Sequence, residues 1–188
     1  MTPMTAETMR LTIRPLTLSD APFVLRLVNQ PAWLKYIGDK QVHSLADAEH
    51  YIQTGPAETQ RRFGFALNLV ELKTRVSIGI CGLVKRETLP NPDLGFAFLE
   101  EHWGQGYAVE AATAVMDDAR TRLRLRHLLA ITTPDNQASG RVLEKLGFAF
   151  ERLFRFPDAG GEELKLYSCA LEARGDDYDR DGLQSTTD

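Results

Sequence analysis

The alternation of apolar and polar residues along the chain predicts a series of strands. Residues 10–16, RLTIRPL, alternate with a period of two and predict the first strand. Three further strands are predicted at 63–72, 76–84 and 93–100. Because only short turn sequences separate these three, we expect them to form an antiparallel meander.

Apolar residues at helical spacing predict the helices that lie between and after these strands. Residues 19–29 and 44–53 carry two such patterns in the first third of the chain. From 107 to 123 the apolar residues recur every three or four positions, with charged residues between them. A last helix is predicted over 136–146, and Gly147 after it suits a left-handed C-terminal cap.

Strand patterns return in the last third and complete the predicted domain. HLLAITT, residues 127–133, predicts one strand. Residues 148–156 and 162–171 predict a hairpin whose turn lies at 158–161. The element order is β α α β β β α β α β β, with no internal repeat and no linker, which predicts one mixed α/β domain over residues 10–172.

Length and charge are those of a single domain with an acidic end. The chain has 188 residues and a formal net charge of -4. Residues 172–188 hold six acids and two arginines, so the rest of the chain is formally neutral. We expect residues 173–188 to be a disordered acidic tail and residues 1–9 to be flexible. A neutral body argues against broad binding of nucleic acid.

Several other classes of protein are disfavoured by the sequence. Residues 1–9 lack the basic and apolar regions of a signal peptide, and no run approaches the roughly 18 apolar residues of a membrane span. We therefore predict a cytoplasmic protein with no membrane partner. Cys81 and Cys169 each lie in an apolar run, which predicts buried reduced thiols. The four histidines have no ligand-like spacing, so no metal is expected.

The stretch FLEEHWGQGYAVEAA, residues 98–112, places two glycines between a strand and a helix. The free N–H groups at a helix N-terminus can hold a phosphate, so Gly104 and Gly106 are compatible with an anion site. They are also compatible with a sharp turn of positive φ. A dinucleotide fingerprint would need a small residue where Val109 stands, and the Gly-Lys-Ser/Thr of a P-loop is absent.

A second strand, loop and helix follow in AITTPDNQASGRVLEKLGF, residues 130–148. Here Asn136, Ser139 and Leu143 are three and four residues apart and share one helix face. LEEHWGQGYAVEA followed by PDNQASGRVLEKLGF resembles the GNAT acetyltransferase superfamily, particularly its Rim-type branch of ribosomal-protein N-terminal acetyltransferases. The opening IRPLTLSDAPFVLRLVNQPAWLKYIG is similar to the first strand and paired helices of that family, so the resemblance covers residues 10–172.

The resemblance implies a GNAT fold and an acetyl-CoA site. The fold is a single, mostly antiparallel sheet of about seven strands with flanking helices. Its central strands, 93–100 and 128–133, would be parallel and would splay apart to admit the pantetheine arm. The backbone around the glycine pair would hold the diphosphate, and residues 98 and 99 would hydrogen-bond the pantetheine amides. The donor-site residues implied in this way are Phe98, Leu99, Trp103, Gly104, Gln105, Gly106, Tyr107, Ala108, Asn136 and Ser139.

Acetyl transfer to an amine requires a base, polarisation of the carbonyl group and stabilisation of the departing thiolate. Asp93 is the first candidate for the base, and Glu100 and Glu101 are the others. Strand alternation would let at most one of those two glutamates point inward. Leu143 stands where many family members carry a tyrosine acid. Ser139, one turn earlier, is therefore the candidate for a hydrogen bond to the thiolate.

Each of these residues also has a structural interpretation. Asp93 would be an exposed carboxylate at the end of a turn, Asn136 a helix N-cap, and Ser139 a small packing residue. The arginine-rich run at 120–127 suggests binding of RNA or of an acidic partner as an alternative, but no aromatic residue accompanies it. Cations at a helix C-terminus are favourable in any case.

The sequence predicts an enzyme that transfers the acetyl group of acetyl-CoA to a primary amine. The leading acceptor is the N-terminal α-amine of a protein or peptide, by analogy with the family. The alternatives are a small amine such as a polyamine, an aminoglycoside or an amino acid, or a CoA-binding module without turnover. The predicted partners are the donor and the acceptor, without direct nucleic acid, and the sequence leaves a homodimer open.

Overall fold

Eight strands and six α-helices are formed by the residues that the computed structural model describes, which are 2–156 and 161–171. The strands are β1 Ala6–Glu7, β2 Leu11–Pro15, β3 Leu67–Leu72, β4 Ser77–Val84, β5 Asp93–Phe98, β6 His127–Thr132, β7 Ala149–Arg155 and β8 Glu163–Ala170. The helices are α1 Ala21–Val28, α2 Pro31–Tyr36, α3 Leu45–Ile52, α4 Glu58–Phe63, α5 Tyr107–Thr121 and α6 Gln137–Lys145.

All eight strands belong to one sheet, in the order β1-β2-β3-β4-β5-β6-β8-β7. Only the central pair, β5 and β6, is parallel among the described strands, and every other neighbouring pair is antiparallel. This confirms the predicted mixed α/β fold with a mostly antiparallel sheet. The predicted seven strands are all present, and β1 is an additional one.

The extra strand lies in the segment that the sequence predicts to be flexible. Ala6 pairs with Ile13 and Glu7 with Thr12, and the side chain of Met4 is only 4% exposed. The structure differs from the expectation because an apolar residue before the strand reaches the core. The predicted tail at 173–188 and most of the predicted hairpin turn lie outside the described residues.

The strand predicted over 63–72 is a helix end followed by a shorter strand. The chain continues from α3 through a π-helical segment, Gln53–Ala57, into α4, and β3 begins only at Leu67. Gly64 caps α4 with a left-handed φ of 77°, a conformation that reverses the chain at little steric cost in glycine. The apolar residues before Leu67 therefore predicted too long a strand.

The sheet separates two apolar layers. On one face, α5 packs through its small side chains, among them Ala111, Ala112 and Val115, all at most 2% exposed. On the other face, α1, α2 and α3 pack through residues such as Val24, Trp33 and Ile52. Alternating strand residues supply both layers, so the central strands are covered on both sides.

Other predicted features of the interior are also observed. Cys81 and Cys169 are free and buried, as predicted, and burial raises the pKa of the Cys81 thiol. Gly147, which follows the C-cap residue Leu146 of α6, has a φ of 86°, which confirms the predicted left-handed cap. Among residues 2–156 and 161–171, no helix is long and apolar enough to cross a membrane. That same part of the chain contains no cluster of side chains able to hold a metal ion.

Candidate active site

The parallel strands β5 and β6 meet at only one point. Asp93 pairs with Leu129, and the Leu129 N–H donates to the Pro92 carbonyl oxygen at 3.0 Å. Beyond this pair, no further register between the two strands occurs in the described chain. The gap between residues 94–98 and 130–132, here called the wedge, is therefore closed at Asp93 and open at the other end. Its edges carry peptide groups that the neighbouring strand does not satisfy.

The open end of β5 leads into the N-terminus of α5. Residues 103–106, here called the glycine loop, connect them, and both of its glycines have left-handed backbone with φ of 74° and 81°. A side chain at Gly104 would enter open space, with no atom within 4 Å of its Cβ. The first N–H groups of a 15-residue helix thus lie beside an uncovered loop, an arrangement that favours a phosphate.

An ion pair between Arg10 and Glu110 supports the glycine loop. The Arg10 Nε donates to Glu110 Oε2 at 2.6 Å, and its Nη1 donates to the Gln105 carbonyl oxygen at 2.9 Å. The guanidinium also lies 4.5 Å from the centre of the Tyr107 ring. Burial raises the pKa of Glu110, but hydrogen bonds from Thr8 and Arg10 outweigh it and keep that pKa below its ordinary value. The pair links the residue before β2, the loop and the first turn of α5.

We predict that Arg10→Gln weakens the binding of acetyl-CoA by about 10-fold. The variant loses a charged hydrogen bond to the Gln105 carbonyl, a contact worth about 1.5 kcal/mol or more, so the loop keeps its position less well. The measurement is a calorimetric titration with acetyl-CoA and, in parallel, with acetyl-pantetheine, which has no diphosphate. Only acetyl-CoA should be affected.

The matched control for that titration is Arg61→Gln. Arg61 forms an exposed ion pair with Glu58 on α4, away from the loop, and its loss should change neither affinity. An equal loss for both donors in the Arg10 variant would show a general structural defect and would contradict the prediction.

The residues at the end of β5 are largely hydrogen-bonded within the chain. The Leu99 N–H donates to the Ile78 carbonyl at 2.9 Å, and the Leu99 carbonyl accepts from the His102 N–H at 2.9 Å. The Trp103 Nε1 donates to the Phe98 carbonyl at 2.8 Å. Since neighbouring peptide groups of a strand point to opposite edges, the Phe98 N–H faces the wedge. Of the two residues predicted to contact pantetheine, Phe98 keeps an N–H that is free among the described residues, whereas the N–H and carbonyl groups of Leu99 are already bonded within the chain.

Two predicted donor-site residues belong to α5 itself. Tyr107 is the first residue of the helix and lies against Arg10, and Ala108 is the second and packs against the main core. The small side chain of Ala108 leaves the helix N-terminus unobstructed. Together with the glycine loop, these residues bring the whole predicted set at 103–108 to one place.

The first turn of α6 carries the second predicted set. The Asn136 Oδ1 accepts the Ser139 N–H at 3.1 Å, which is an N-cap hydrogen bond. The Ser139 hydroxyl is half-buried and has no hydrogen-bond partner in the part of the chain that the structure describes. Leu143 is 1% exposed and belongs to the core. Asn136 thus caps the N-terminus of α6, and the Ser139 hydroxyl is able to donate a hydrogen bond to a ligand.

Asp93 is buried at the closed end of the wedge. It is 1% exposed, and both of its carboxylate oxygens lie 3.2 Å from the Arg86 Nε that donates to them. Burial raises its pKa, and the charge of Arg86 opposes that effect only in part. The interpretation of Asp93 as an exposed turn residue is therefore wrong. A carboxylate with a raised pKa is suited to accept a proton near neutral pH.

Glu100 and Glu101 lie outside the strand, so the alternation argument for them is wrong. The strand ends at Phe98, and a short 3-10 turn, Glu100–His102, follows. The Glu100 Oε1 accepts the Ala32 N–H at 3.2 Å at the start of α2, and Glu101 forms an ion pair with Arg26. The structure therefore connects both carboxylates to the helices and does not bring Glu100 together with Asp93.

The hydroxyl groups of Thr132 and Tyr167 have no counterpart in the sequence-based predictions. The Thr132 Oγ1 at the end of β6 is buried without a hydrogen-bond partner among the described residues. The Tyr167 hydroxyl reaches α6 from β8. An orphaned hydroxyl, open glycines and free strand edges fit a long ligand with amide and phosphate groups, which is the chemistry of acetyl-CoA.

Known proteins resemble this chain in sequence and in structure. It is 29% identical over 150 residues to the uncharacterized N-acetyltransferase YoaA of Bacillus subtilis (strain 168). The matched residues make up 79% of this chain and 85% of YoaA. An acetyltransferase from Agrobacterium tumefaciens str. C58 is 29% identical, with a TM-score of 0.75 over 88% of this chain and 94% of that one. RimL, a ribosomal L7/L12 alpha-N-protein acetyltransferase solved with coenzyme A, is 20% identical. Its TM-score is 0.77 over 89% of this chain and 98% of its own, which shows a common fold.

The sequence model of one family extends across most of the described elements. The Acetyltransferase (GNAT) domain matches residues 10–149, a range that includes the wedge, the glycine loop and α6. This family uses acetyl-CoA as its acetyl donor. From this match, the fold and the relatives, the chain belongs to the GNAT acetyltransferase family and is an N-acetyltransferase.

Proposed function

We propose that this acetyltransferase acts on the N-terminal α-amine of a protein or peptide. The observation that supports direct transfer to an amine is the wedge, which opens at the glycine loop and closes at the buried Asp93. A donor whose diphosphate lies at the loop would have its acetyl group directed toward that closed end. An amine that approaches Asp93 would then meet the acetyl carbon.

The donor site would be formed mainly by backbone. The peptide groups of residues 103–108 would hold the diphosphate, and the Phe98 N–H would bond pantetheine as a strand partner does. The left-handed φ of 81° at Gly106, a conformation that residues with a side chain rarely adopt, explains why the loop needs glycine there. Side chains larger than hydrogen would separate the backbone from the phosphates.

The chain supplies a base for the attacking amine and a hydroxyl group for the departing sulfur. Asp93 would accept the proton of the attacking amine, and its raised pKa suits that role. The Ser139 hydroxyl at the start of α6 would donate a hydrogen bond to the sulfur that departs. Arg86 keeps the Asp93 carboxylate in one orientation through two contacts of 3.2 Å.

The energetics of deprotonation favour an α-amine as the acceptor. With a pKa of about 7.8, an α-amine becomes neutral at pH 7 for about 1 kcal/mol, whereas a lysine of pKa about 10.4 needs about 4.6 kcal/mol. A single buried carboxylate is therefore a sufficient base for the former. RimL, which shares the fold, is a ribosomal L7/L12 alpha-N-protein acetyltransferase by name.

The charges around Asp93 disfavour a polyamine. Arg86 and Lys85 both act on the Asp93 carboxylate, and Arg86 in turn lies close enough to lower the pKa of Lys40, after the larger effect of burial. Three cations at this end of the wedge would repel a substrate that carries several positive charges.

We predict that peptides with a free α-amine are acetylated at least about 10-fold faster than the same peptides with a blocked N-terminus and a free lysine. The measurement is release of CoA with both sets of peptides and with spermidine, an aminoglycoside and free amino acids. Faster acetylation of a small amine would replace the proposed acceptor class. Tight binding of acetyl-CoA without turnover on any acceptor would instead identify a CoA-binding module.

A further inference from the structure

Arg86 lies at the closed end of the wedge, and most of its guanidinium is unused. It stands two residues after the end of β4, and its Nε donates to both carboxylate oxygens of Asp93 at 3.2 Å. Its Nη1 and Nη2 have no hydrogen-bond partner in the part of the chain that the structure describes, and the side chain is 40% exposed. A guanidinium carries its N–H donors in a planar fork, so the Nη side of the fork is open to a ligand beside the carboxylate.

The surroundings of Arg86 restrict where the fork points. The guanidinium carbon lies 5.7 Å from the centre of the Phe156 ring. The Leu89 N–H donates to the Arg86 carbonyl oxygen at 3.2 Å, which closes a turn in the loop that carries the side chain. Leu89 is 5% exposed and belongs to the same apolar cluster as Leu129, the residue that pairs with Asp93. The loop is thus anchored at the point where the wedge closes, and the fork is preorganised for binding.

Two further cations extend the positive charge around Arg86. Lys85 precedes it, and the Lys85 Nζ donates to two carbonyl oxygens of its own loop at 3.1 and 2.6 Å. Burial and, after it, the charge of Arg86 lower the pKa of Lys40, so the Lys40 ammonium lies within electrostatic reach of the fork. Glu87 and Asp39, the acids next to these cations in sequence, form no ion pair with them within the described ranges. This excess of cations favours an anionic ligand.

The contact with Asp93 defines what that anion must be attached to. In the proposed reaction an α-amine approaches the Asp93 carboxylate, and the open side of the fork belongs to the guanidinium that holds this carboxylate. A carboxylate accepts two parallel N–H bonds from such a fork. A ligand that fills both places therefore carries an amine and, a short distance along the same molecule, a carboxylate. In a peptide, an aspartate or glutamate directly after the first residue has this arrangement.

We propose that Arg86 is a specificity-determining residue that binds the side-chain carboxylate of an acidic second residue in the acceptor peptide. This inference rests on the proposed acetylation of an α-amine and narrows it to acidic N-termini. The Nε of Arg86 holds the base, and its Nη groups hold the acceptor. No bond forms or breaks at Arg86, so its effect is on which acceptor is bound and oriented.

The first test compares three peptides that differ only at the second residue, which is aspartate, asparagine or lysine. We expect kcat/KM for the aspartate peptide to exceed that for the asparagine peptide by about 10-fold, the effect of one charged hydrogen bond. The lysine peptide should be the poorest acceptor. Because the fork is partly exposed, added NaCl should reduce the advantage of aspartate. The measurement is the rate of CoA release at several peptide concentrations.

The second test removes the fork. In Arg86→Gln, the ratio of kcat/KM between the aspartate and asparagine peptides should fall to within about 2-fold. The ratio is the readout because loss of the contact with Asp93 affects both peptides alike. Arg86→Lys keeps the charge without the fork and should retain part of the preference. The matched control is Arg61→Gln, which removes an exposed ion pair with Glu58 on α4 and should keep the full ratio.

Four results would contradict the proposals at different levels. Equal kcat/KM for the aspartate and asparagine peptides in the wild type would overturn the inference and leave the proposed function intact. An unchanged preference in Arg86→Gln would also overturn it, since another group would then bind the carboxylate. Faster acetylation of free aspartate than of every peptide would replace the peptide by an amino acid as acceptor. Absence of turnover on every α-amine, with acetyl-CoA bound, would reject the proposed function itself.

Discussion

Replacement of Gly106 by tryptophan is expected to weaken acetyl-CoA binding by at least about 100-fold while the protein stays folded. Gly106 has a left-handed φ of 81° and stands directly before α5. An indole there would prevent the loop and the first helical N–H groups from approaching the diphosphate. The loss of two charged hydrogen bonds, at about 1.5 kcal/mol or more each, corresponds to more than a 100-fold change in affinity.

The matched control for this substitution is Gly147→Trp. Gly147 has a φ of 86°, and no atom lies within 4 Å of a Cβ built there, so this variant carries the same backbone strain without obstructing the loop. The measurement is calorimetric titration of both variants and the wild type, with circular dichroism to verify folding. Wild-type affinity in a folded Gly106→Trp protein would contradict the proposed phosphate site. Weak binding by both variants would attribute the effect to strain.

Replacement of Asp93 by asparagine is expected to lower kcat by about 100- to 1000-fold with little effect on acetyl-CoA affinity. The substitution keeps the shape of the side chain and removes the only proposed base, and general-base catalysis typically contributes that much. The Arg86 side chain is 40% exposed, so water can solvate it when the carboxylate is lost. A variant that keeps most of its kcat would show that another group accepts the proton.

The dependence of kcat on pH gives a second readout for Asp93. The base must be ionised to act, and burial raises its pKa in the folded protein. Activity of the wild type should therefore rise through an acid limb above the ordinary aspartate value of about 3.9. That limb should be missing from the residual activity of Asp93→Asn. The matched control, Glu101→Gln, removes an exposed carboxylate paired with Arg26 and should keep the limb.

The same pKa shift predicts the effect of Asp93 on stability. A folded-state pKa above the unfolded value means that protonated Asp93 stabilises the fold, and this contribution is lost as pH rises through the folded pKa. Asp93→Asn, which stays neutral, should therefore gain free energy of unfolding relative to the wild type as pH rises from about 4 to neutral. Urea unfolding at several pH values measures this difference. A constant difference would mean that the shift does not occur.

Elements with a clear local pattern could be predicted from the sequence. The helix that begins at Tyr107 and the strand at 127–133 were both predicted within two residues of their observed ends, because an apolar stripe or alternation repeats over many residues. The pattern predicted the wrong element where a single glycine ends a helix. Phe63 and Phe65 resemble strand residues, but Gly64 ends a helix between them, and its left-handed backbone is not visible in hydrophobicity.

The candidate site likewise contains parts that could be predicted from local sequence and parts that could not. The glycine loop and the cap formed by Asn136 and Ser139 are local motifs, and the sequence identified both because their conformation depends on neighbours in the chain. Asp93 was predicted to be the first candidate for the base, but its burial against Arg86 depends on how β5 pairs with β6. Its exposure was therefore predicted wrongly.

The sequence by itself thus determined the family, the order of most of the elements and the presence of a glycine loop between β5 and α5. Only the tertiary structure decided which side chains that are distant in sequence come together in the fold. Arg10 and Glu110 are 100 residues apart along the chain, and Tyr167 reaches Gly140 only because β8 pairs with β6. Hydrophobic periodicity records which face of an element is buried, and it carries no information about which strand will be its neighbour. Contacts between strands and helices that are distant in sequence follow from sheet order and register, which the completed fold defines.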